Sequence, residues 1–171
     1  MTHIYFSDRQ KIDYDCLIDT EDLQKLINFN FTWHKFHSKT CNLDYVAASE
    51  YLGIVNGRPK YKMIYLHRFL MNADEKTYVD HEDHDSLNNR KYNLRITTND
   101  KNTQHRKGAN SNNSTGHRNV NWGWNREFYF VQFMRKGERF IWEFPLDQYQ
   151  EACDFADIKR LELFGAYSGN N

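Results

Sequence analysis

The chain has 171 residues, enough for one ordinary domain or two to three small ones, and its 39% hydrophobic and 27% charged residues exclude global disorder. Its formal net charge is zero, which argues against nucleic-acid binding through bulk charge alone. The charges are nevertheless segregated. Basic residues dominate positions 86–109, where Asp100 is the lone acid, and acidic residues dominate positions 143–162.

The cysteines are Cys16, Cys41 and Cys153, widely spaced and without a CxxC pair, so neither a disulfide framework nor a cysteine-zinc site is indicated. No apolar run approaches 18 residues and no charged-then-apolar leader is present, so we expect neither a membrane span nor a secretory signal. The expectation is a soluble, cytoplasmic, reduced protein.

Residues 1–66 predict a small α+β module. Strand-like runs occur at Ile4–Phe6, Tyr14–Ile18, Tyr45–Ala47 and Met63–Leu66. A helix is predicted to begin at Asp19 or Thr20, because Glu21 and Asp22 would then lie in its first turn.

Residues 67–107 carry the densest set of chemically active side chains. We predict a strand near 77–81, a polar loop, a strand near 94–97 and a helix from 98 to about 107. Asp80 offers a hard carboxylate to a divalent cation, and His81 titrates near neutral pH. Adjacent residues of a flat strand point to opposite faces, so we expect the first strand to end or bend at this pair. The ordered residues of the motif are His67-Arg68, Tyr78–His81, Asn89-Arg90, Asn93–Arg95, Thr98 and Asn102.

This motif resembles the HNH or ββα-metal endonucleases, specifically the phage-type homing enzymes. The resemblance implies that His81 is the general base, that Asn93 is the central asparagine, and that Asp80 and Asn102 bind one metal ion per active site. The last motif position is often histidine across the wider family. An asparagine there suits Mg²⁺ or Mn²⁺, since its amide oxygen is a hard donor.

Other interpretations of the same residues stay open. Asp80-His81 alone is typical of a solvated strand end, and His81, His84, His67 and His105 suggest a zinc site, although cysteines are missing from it. Arg68 packs against the motif or contacts phosphate. The basic residues Arg90, Arg95, Lys101 and Arg106 form a solvated face or bind phosphate, and we favour phosphate beside a phosphate-cleaving centre.

Residues 108–116 are rich in glycine, serine and asparagine and predict a linker. Residues 117–171 predict strands at Arg118–Trp122, Phe128–Met134 and Arg139–Phe144, followed by one helix that ends before Gly165. This segment resembles the AP2 DNA-binding domain, with matching residues at Thr115-Gly116, Arg118, Val120, Trp122, Phe144, Glu151-Ala152, Asp154 and Gly165. It departs from that pattern at Asn119 and Trp142, where glycines are usual. We expect a DNA-reading sheet face that carries Arg118, Trp122, Arg126, Arg135 and Arg139.

The sequence therefore predicts an α+β protein with four segments: 1–66, 67–107, 108–116 and 117–171. The predicted function is a metal-dependent endonuclease of a phage or mobile element, acting on double-stranded DNA in a bacterial or phage-infected cell, as a monomer or weak dimer. One alternative is a sequence-specific DNA-binding regulator whose nuclease fold is inactive. RNA processing is a third possibility.

Overall fold

The computed structural model describes residues 2–7, 13–29 and 31–169, and it is an α+β structure made of two compact units, residues 1–98 and 99–171. The first unit contains β1 (Thr2–Ser7), β2 (Asp13–Ile18), α1 (Leu23–Asn28), β3 (His34–Ser38), β4 (Leu43–Val55), β5 (Arg58–Tyr65), α2 (Leu66–Leu70), β6 (Tyr78–His81) and β7 (Leu94–Thr97). The second contains α3 (Asn99–Gln104), β8 (Val120–Trp122), β9 (Phe128–Arg135), β10 (Glu138–Pro145) and α4 (Tyr149–Phe164).

The described residues of the first unit contain three antiparallel sheets: β1 with β2, β3 with β4 and β5, and β6 with β7. One apolar core joins elements on both sides of position 66, where we had predicted a module boundary. Its buried residues are Cys16, Ile18, Leu26, Val46, Leu66, Leu70, Val79 and Leu94. Residues 1–66 are thus part of the same compact unit as the motif strands.

The loop that connects β6 to β7, residues 82–93, is attached to β2. The amide of Leu17 donates to the carbonyl of Leu87 at 2.9 Å, and the amide of Asn89 donates to the carbonyl of Leu17 at 2.8 Å. The amide of Lys91 donates to the Asp19 carboxylate at 2.7 Å. Because these bonds join segments about 70 residues apart, the N-terminal strands hold the loop that follows His81.

The β4–β5 hairpin is much longer than the two short strands predicted at 45–47 and 63–66. Its turn is Asn56-Gly57, with φ angles of 51° and 73°. An Asn-Gly pair tolerates these left-handed conformations and is the typical two-residue hairpin turn. Every residue from Tyr51 to Met63 is exposed except Gly53, which is half-buried.

In the second unit, β8, β9 and β10 form a three-stranded antiparallel sheet that packs against α4. The core residues are Val120, Tyr129, Val131, Phe133, Ala152, Cys153 and Ala156. Asn119 precedes β8 with a φ of 67°. Asparagine is one of the few residues that adopt this conformation readily.

Residues 113–116 are hydrogen-bonded to other residues of the second unit, although the sequence predicted a linker through 116. The Asn113 side chain donates to the carbonyls of His117 and Val120, and the Tyr149 hydroxyl donates to the carbonyl of Thr115 at 2.7 Å. Helix α3 also belongs to this unit. Among the described residues, no helix is both long and apolar enough to cross a membrane.

Candidate active site and nucleic-acid surface

His81 lies at the last position of β6, opposite Leu94 of β7. Burial alternates along β6, so Val79 and His81 face the core while Tyr78 and Asp80 face the other side. The imidazole is 7% exposed and packs edge-on against the His67 ring, with 5.0 Å between centroids. The strand ends at His81, but Asp80 and His81 still alternate within it, so the imidazole and the carboxylate lie on opposite faces and the bend expected between them is not seen.

Asn89 fixes the orientation of the His81 ring. Its Oδ1 lies 3.3 Å from His81 Nε2, while its Nδ2 lies 3.4 Å from the Ser86 carbonyl and 3.2 Å from Cys16 Sγ. A carbonyl can only accept, so Nδ2 must face Ser86 and Oδ1 must face His81. An amide oxygen also only accepts, so neutral His81 carries its proton on Nε2 and keeps Nδ1 as the proton acceptor.

Burial keeps both ring systems neutral. It lowers the pKa of His81, although the Asn89 hydrogen bond and the charges of Asp80, Asp83 and Asp85 act in the opposite direction. It lowers the pKa of His67 to about 3, with further contributions from the charges of His81 and Arg68. A neutral imidazole at His81 is the protonation state that a general base needs.

Asp80 is paired with Arg95, its cross-strand partner on β7. Arg95 Nε and an Nη atom lie 2.9 and 2.8 Å from the same carboxylate oxygen, Oδ2. Both side chains are mostly buried, at 11% and 15% exposure. Arg95, which we had predicted as a phosphate ligand, therefore has the Asp80 carboxylate as its partner.

Asn93 closes the loop after His81. Its Oδ1 accepts from the amide of Asp83 at 3.0 Å, and its Nδ2 donates to the Asp83 carboxylate and to the Asn88 carbonyl, each at 2.8 Å. The side chain is 2% exposed. Its position is one of support for the loop.

Asp80 fits a magnesium or manganese ion by its chemistry. These ions bind through one or two carboxylates and complete their shell with water and phosphate oxygens, so a single Asp80 is sufficient as the carboxylate ligand. Asn102, the other predicted ligand, lies on α3 in the second unit. In the described part of the chain no three His, Cys, Asp or Glu residues are grouped to hold a metal, so the zinc interpretation gains no support.

Two other predicted phosphate ligands of the first unit have protein partners. Arg68 donates from Nη1 to the carbonyl of Thr77 at 2.8 Å and from Nη2 to the carbonyl of Asp74, which fixes the turn before β6. The guanidinium of Arg90 lies over the Tyr92 ring at 4.6 Å, and its Nε donates to the Asn88 amide oxygen at 2.8 Å. Both contacts organise the loop around the site.

Arg118 is a structural residue, contrary to the prediction that it reads DNA. It is 5% exposed, and its guanidinium donates to the carbonyls of Gln104, Arg106 and Ser168. Burial lowers its pKa to about 10. Arg118 thus ties the segment after α3 and the C-terminal residues to the sheet.

The other predicted DNA contacts of the second unit do not share one sheet face. Trp122 pairs with Tyr129 and packs on the core with 4.4 Å between ring centroids. By strand alternation, Arg135 lies on this same face, whereas Arg139 pairs with Met134 on the exposed face. Arg126 follows β8 with its guanidinium 5.6 Å from the Trp122 ring centre.

The exposed face combines aromatic, amide and cationic side chains. Arg139 donates to the Gln132 amide oxygen at 2.8 Å, and Trp124 is 84% exposed at one end. An open pocket of about 390 Å³ occupies this face, lined by Trp122, Trp124, Phe128, Phe130, Arg139, Ile141 and Glu143. Lys101 lies over the Tyr167 ring at 5.0 Å, and Arg106 is exposed.

Two site residues received no role from the sequence. Asn89 stood in the motif, but its contact with His81 depends on the docking of the loop on β2. Gln132 gave a usable signal, since a polar residue alternating with Val131 and Phe133 must face away from the core.

Comparison of the chain with protein-family models, with curated proteins and with solved structures found no match.

Proposed function

We propose that the chain is a metal-dependent DNA endonuclease, with His81 as the general base and Asp80 as a metal ligand. The observation that carries the proposal is the buried imidazole at the end of β6, oriented by Asn89 and adjacent in the chain to a carboxylate. Phosphodiester hydrolysis needs a base for the attacking water and positive charge for the phosphate and the leaving oxygen.

His81 and Asp80 divide these tasks. His81 Nδ1 accepts a proton from water, and Asn89 keeps the proton on Nε2 so that Nδ1 is available. Asp80 would hold Mg²⁺ or Mn²⁺, and this ion would supply Lewis-acid stabilisation of the phosphate. Because Asp80 and His81 lie on opposite faces of the strand, both can reach one phosphate only if the end of β6 bends when DNA binds.

The second unit supports a role in DNA recognition. Arg139 and Gln132 are adjacent on its exposed sheet face, and arginine and glutamine are the side chains that read guanine and adenine in the major groove. Trp124 and Arg126 add an exposed indole and a guanidinium beside that face. Target selection is therefore assigned to the second unit.

One observation favours the alternative of an inactive DNA-binding regulator. Arg95 occupies Oδ2 of Asp80 with two nitrogens, and a guanidinium competes with a cation for a carboxylate. Relaxation of supercoiled plasmid with and without Mg²⁺ separates the two functions. Mg²⁺-dependent nicking that is lost in Asp80→Ala is the expected result. DNA binding without nicking at any divalent metal tested would support the regulator.

A further inference from the structure

Beyond the site, an extended exposed feature of the first unit is the far part of the β4–β5 hairpin, residues 50–63, here named the arm. Its two strands extend for roughly 20 Å at the usual strand rise. Several large hydrophobic side chains of the arm are solvent-exposed, at 38% to 70% of their surface: Tyr51, Leu52, Ile54, Val55, Tyr61 and Met63.

The strand register divides the arm into two faces of different chemistry. Tyr51 pairs with Tyr61 and Ile54 pairs with Pro59, so these residues share an apolar face, with 5.5 Å between the two tyrosine rings. Lys60 pairs with Gly53 and Arg58 with Val55 on the opposite, basic face. A bulge at Leu52 lets both pairings coexist.

The charge of the arm has one sign toward its tip. No acidic residue occurs between Glu50 and Asp74 in the sequence. Lys62, near the base of the arm, is paired with Glu75 at 3.0 Å, so Arg58 and Lys60 are the cations that the tip presents to a ligand. A basic face on an exposed ribbon is complementary to a polyanion.

We propose that the arm binds duplex DNA, with Arg58 and Lys60 contacting phosphates while the ribbon lies in the major groove. The groove is about 12 Å wide and admits a two-stranded ribbon. This inference rests on the proposed function, which supplies DNA as the partner, and it adds a contact surface whose residues the proposed active site does not use.

The test measures binding of the full chain to a fluorescein-labelled 40-base-pair duplex of mixed sequence, in EDTA so that the DNA stays intact. The test variant is Arg58→Gln with Lys60→Gln. Two single variants are also compared, Lys60→Gln and its control Lys39→Gln. Lys39 is an exposed lysine in the turn at the opposite end of the same sheet.

We expect the double variant to lose affinity by about ten-fold or more at 0.1 M salt, and the slope of log K against log salt to fall by about two, because each phosphate contact contributes about 0.9 to that slope. Lys60→Gln should show half of the change in slope, and Lys39→Gln none.

Three results would overturn the proposal. If the wild-type chain binds tightly and the double variant keeps the same affinity and salt slope, the arm is not a DNA contact, and the proposed nuclease function is unaffected. An equal loss in Lys39→Gln would assign the effect to total charge. A second copy of the chain would be the partner of the arm if two results came together. The variant Tyr51→Ser with Ile54→Ser would lose a dimer that the wild-type chain forms in sedimentation, and the variant Arg58→Gln with Lys60→Gln would bind DNA as well as the wild-type chain. Failure of the wild-type chain to bind or nick duplex DNA would reject the proposed function itself.

Discussion

At His81, one hydrogen bond selects which nitrogen is able to accept a proton. Because His81 is only 7% exposed, replacement of the imidazole removes the base but little surface that could contact DNA. We expect His81→Ala to lower nicking by about two to four orders of magnitude and to change DNA affinity by no more than a few-fold.

His84 provides the matched control for this variant. It is in the same loop with a φ of 64°, so His84→Asn keeps a residue that tolerates this conformation. Near wild-type nicking is expected there, whereas an equal loss in both variants would favour the zinc interpretation. The same assignment predicts that the acid limb of the rate profile lies below pH 6.5, since burial lowers the pKa of His81.

His67 makes the stability of the first unit dependent on pH. Its pKa falls from 6.5 in the unfolded chain to about 3 in the folded one, so the unfolded chain binds more protons between these values. The contribution of neutral His67 is complete above pH 6.5 and is lost as the pH falls toward 3. Between pH 7 and 5 the expected loss from this residue is about 2 kcal/mol.

Hydrogen exchange of peptides from residues 43–98 measures this loss. In His67→Phe, which keeps a ring against Tyr45 and Tyr65, the loss between pH 7 and 5 should shrink by that amount. Carboxylates titrate mainly below pH 5 and contribute little in this window. An unchanged pH dependence in the variant would show that His67 is not buried as a neutral ring.

At the scale of elements, the loop between β6 and β7 depends on Asn93. Asn93→Ala removes three hydrogen bonds at a buried position and leaves the Asp83 amide and the Asn88 carbonyl without this partner. We expect the unit to lose about 2 to 4 kcal/mol and nicking to fall with it, because the loop also carries Asn89.

Asn121→Ala is the control, since Asn121 lies half-buried on β8 of the other unit. Hydrogen exchange of the amides in residues 82–93 is the measurement. Retained protection of this loop in Asn93→Ala would mean that its attachment to β2 is sufficient without the asparagine.

Strand positions near the site were predictable from the sequence, and their surroundings were not. β6 and β7 were expected at 77–81 and 94–97 and occur at 78–81 and 94–97, because short apolar runs between polar loops determine them locally. The β4–β5 hairpin was missed despite its Asn56-Gly57 turn signal, since the exposed strands lack a buried face and hence the usual alternation.

Arg118 illustrates what local patterns do not contain. Its neighbours suggested an exposed, base-reading arginine, but its acceptors are carbonyls at Gln104, Arg106 and Ser168. Likewise, Arg95 was assigned to phosphate until the β6–β7 register placed it against Asp80. Burial and partners of charged side chains depend on long-range pairing, which a single sequence does not specify.

For the whole molecule, the division at residues 98 and 99 decides where the chain should be cut. The composition of residues 108–116 suggested a cut near 110, which would separate Arg118 from the Gln104 and Arg106 carbonyls. A fragment of residues 99–171 keeps α3 and these acceptors. We expect it to be more stable to urea than a fragment of residues 110–171 by about 2 to 4 kcal/mol, because the shorter one leaves a buried guanidinium with fewer acceptors.

Function should divide at the same point. Residues 99–171 should bind duplex DNA without cutting it, through the exposed sheet face that carries Gln132 and Arg139. Arg139→Ala should weaken binding to the preferred site by about 1 to 3 kcal/mol if the guanidinium reads a base, and Arg135→Ala, on the other face, should not. Residues 1–98 keep Asp80 and His81 and should nick duplex DNA in Mg²⁺ less selectively than the full chain. Equal losses in the two arginine variants would assign DNA binding to charge and not to the sheet face.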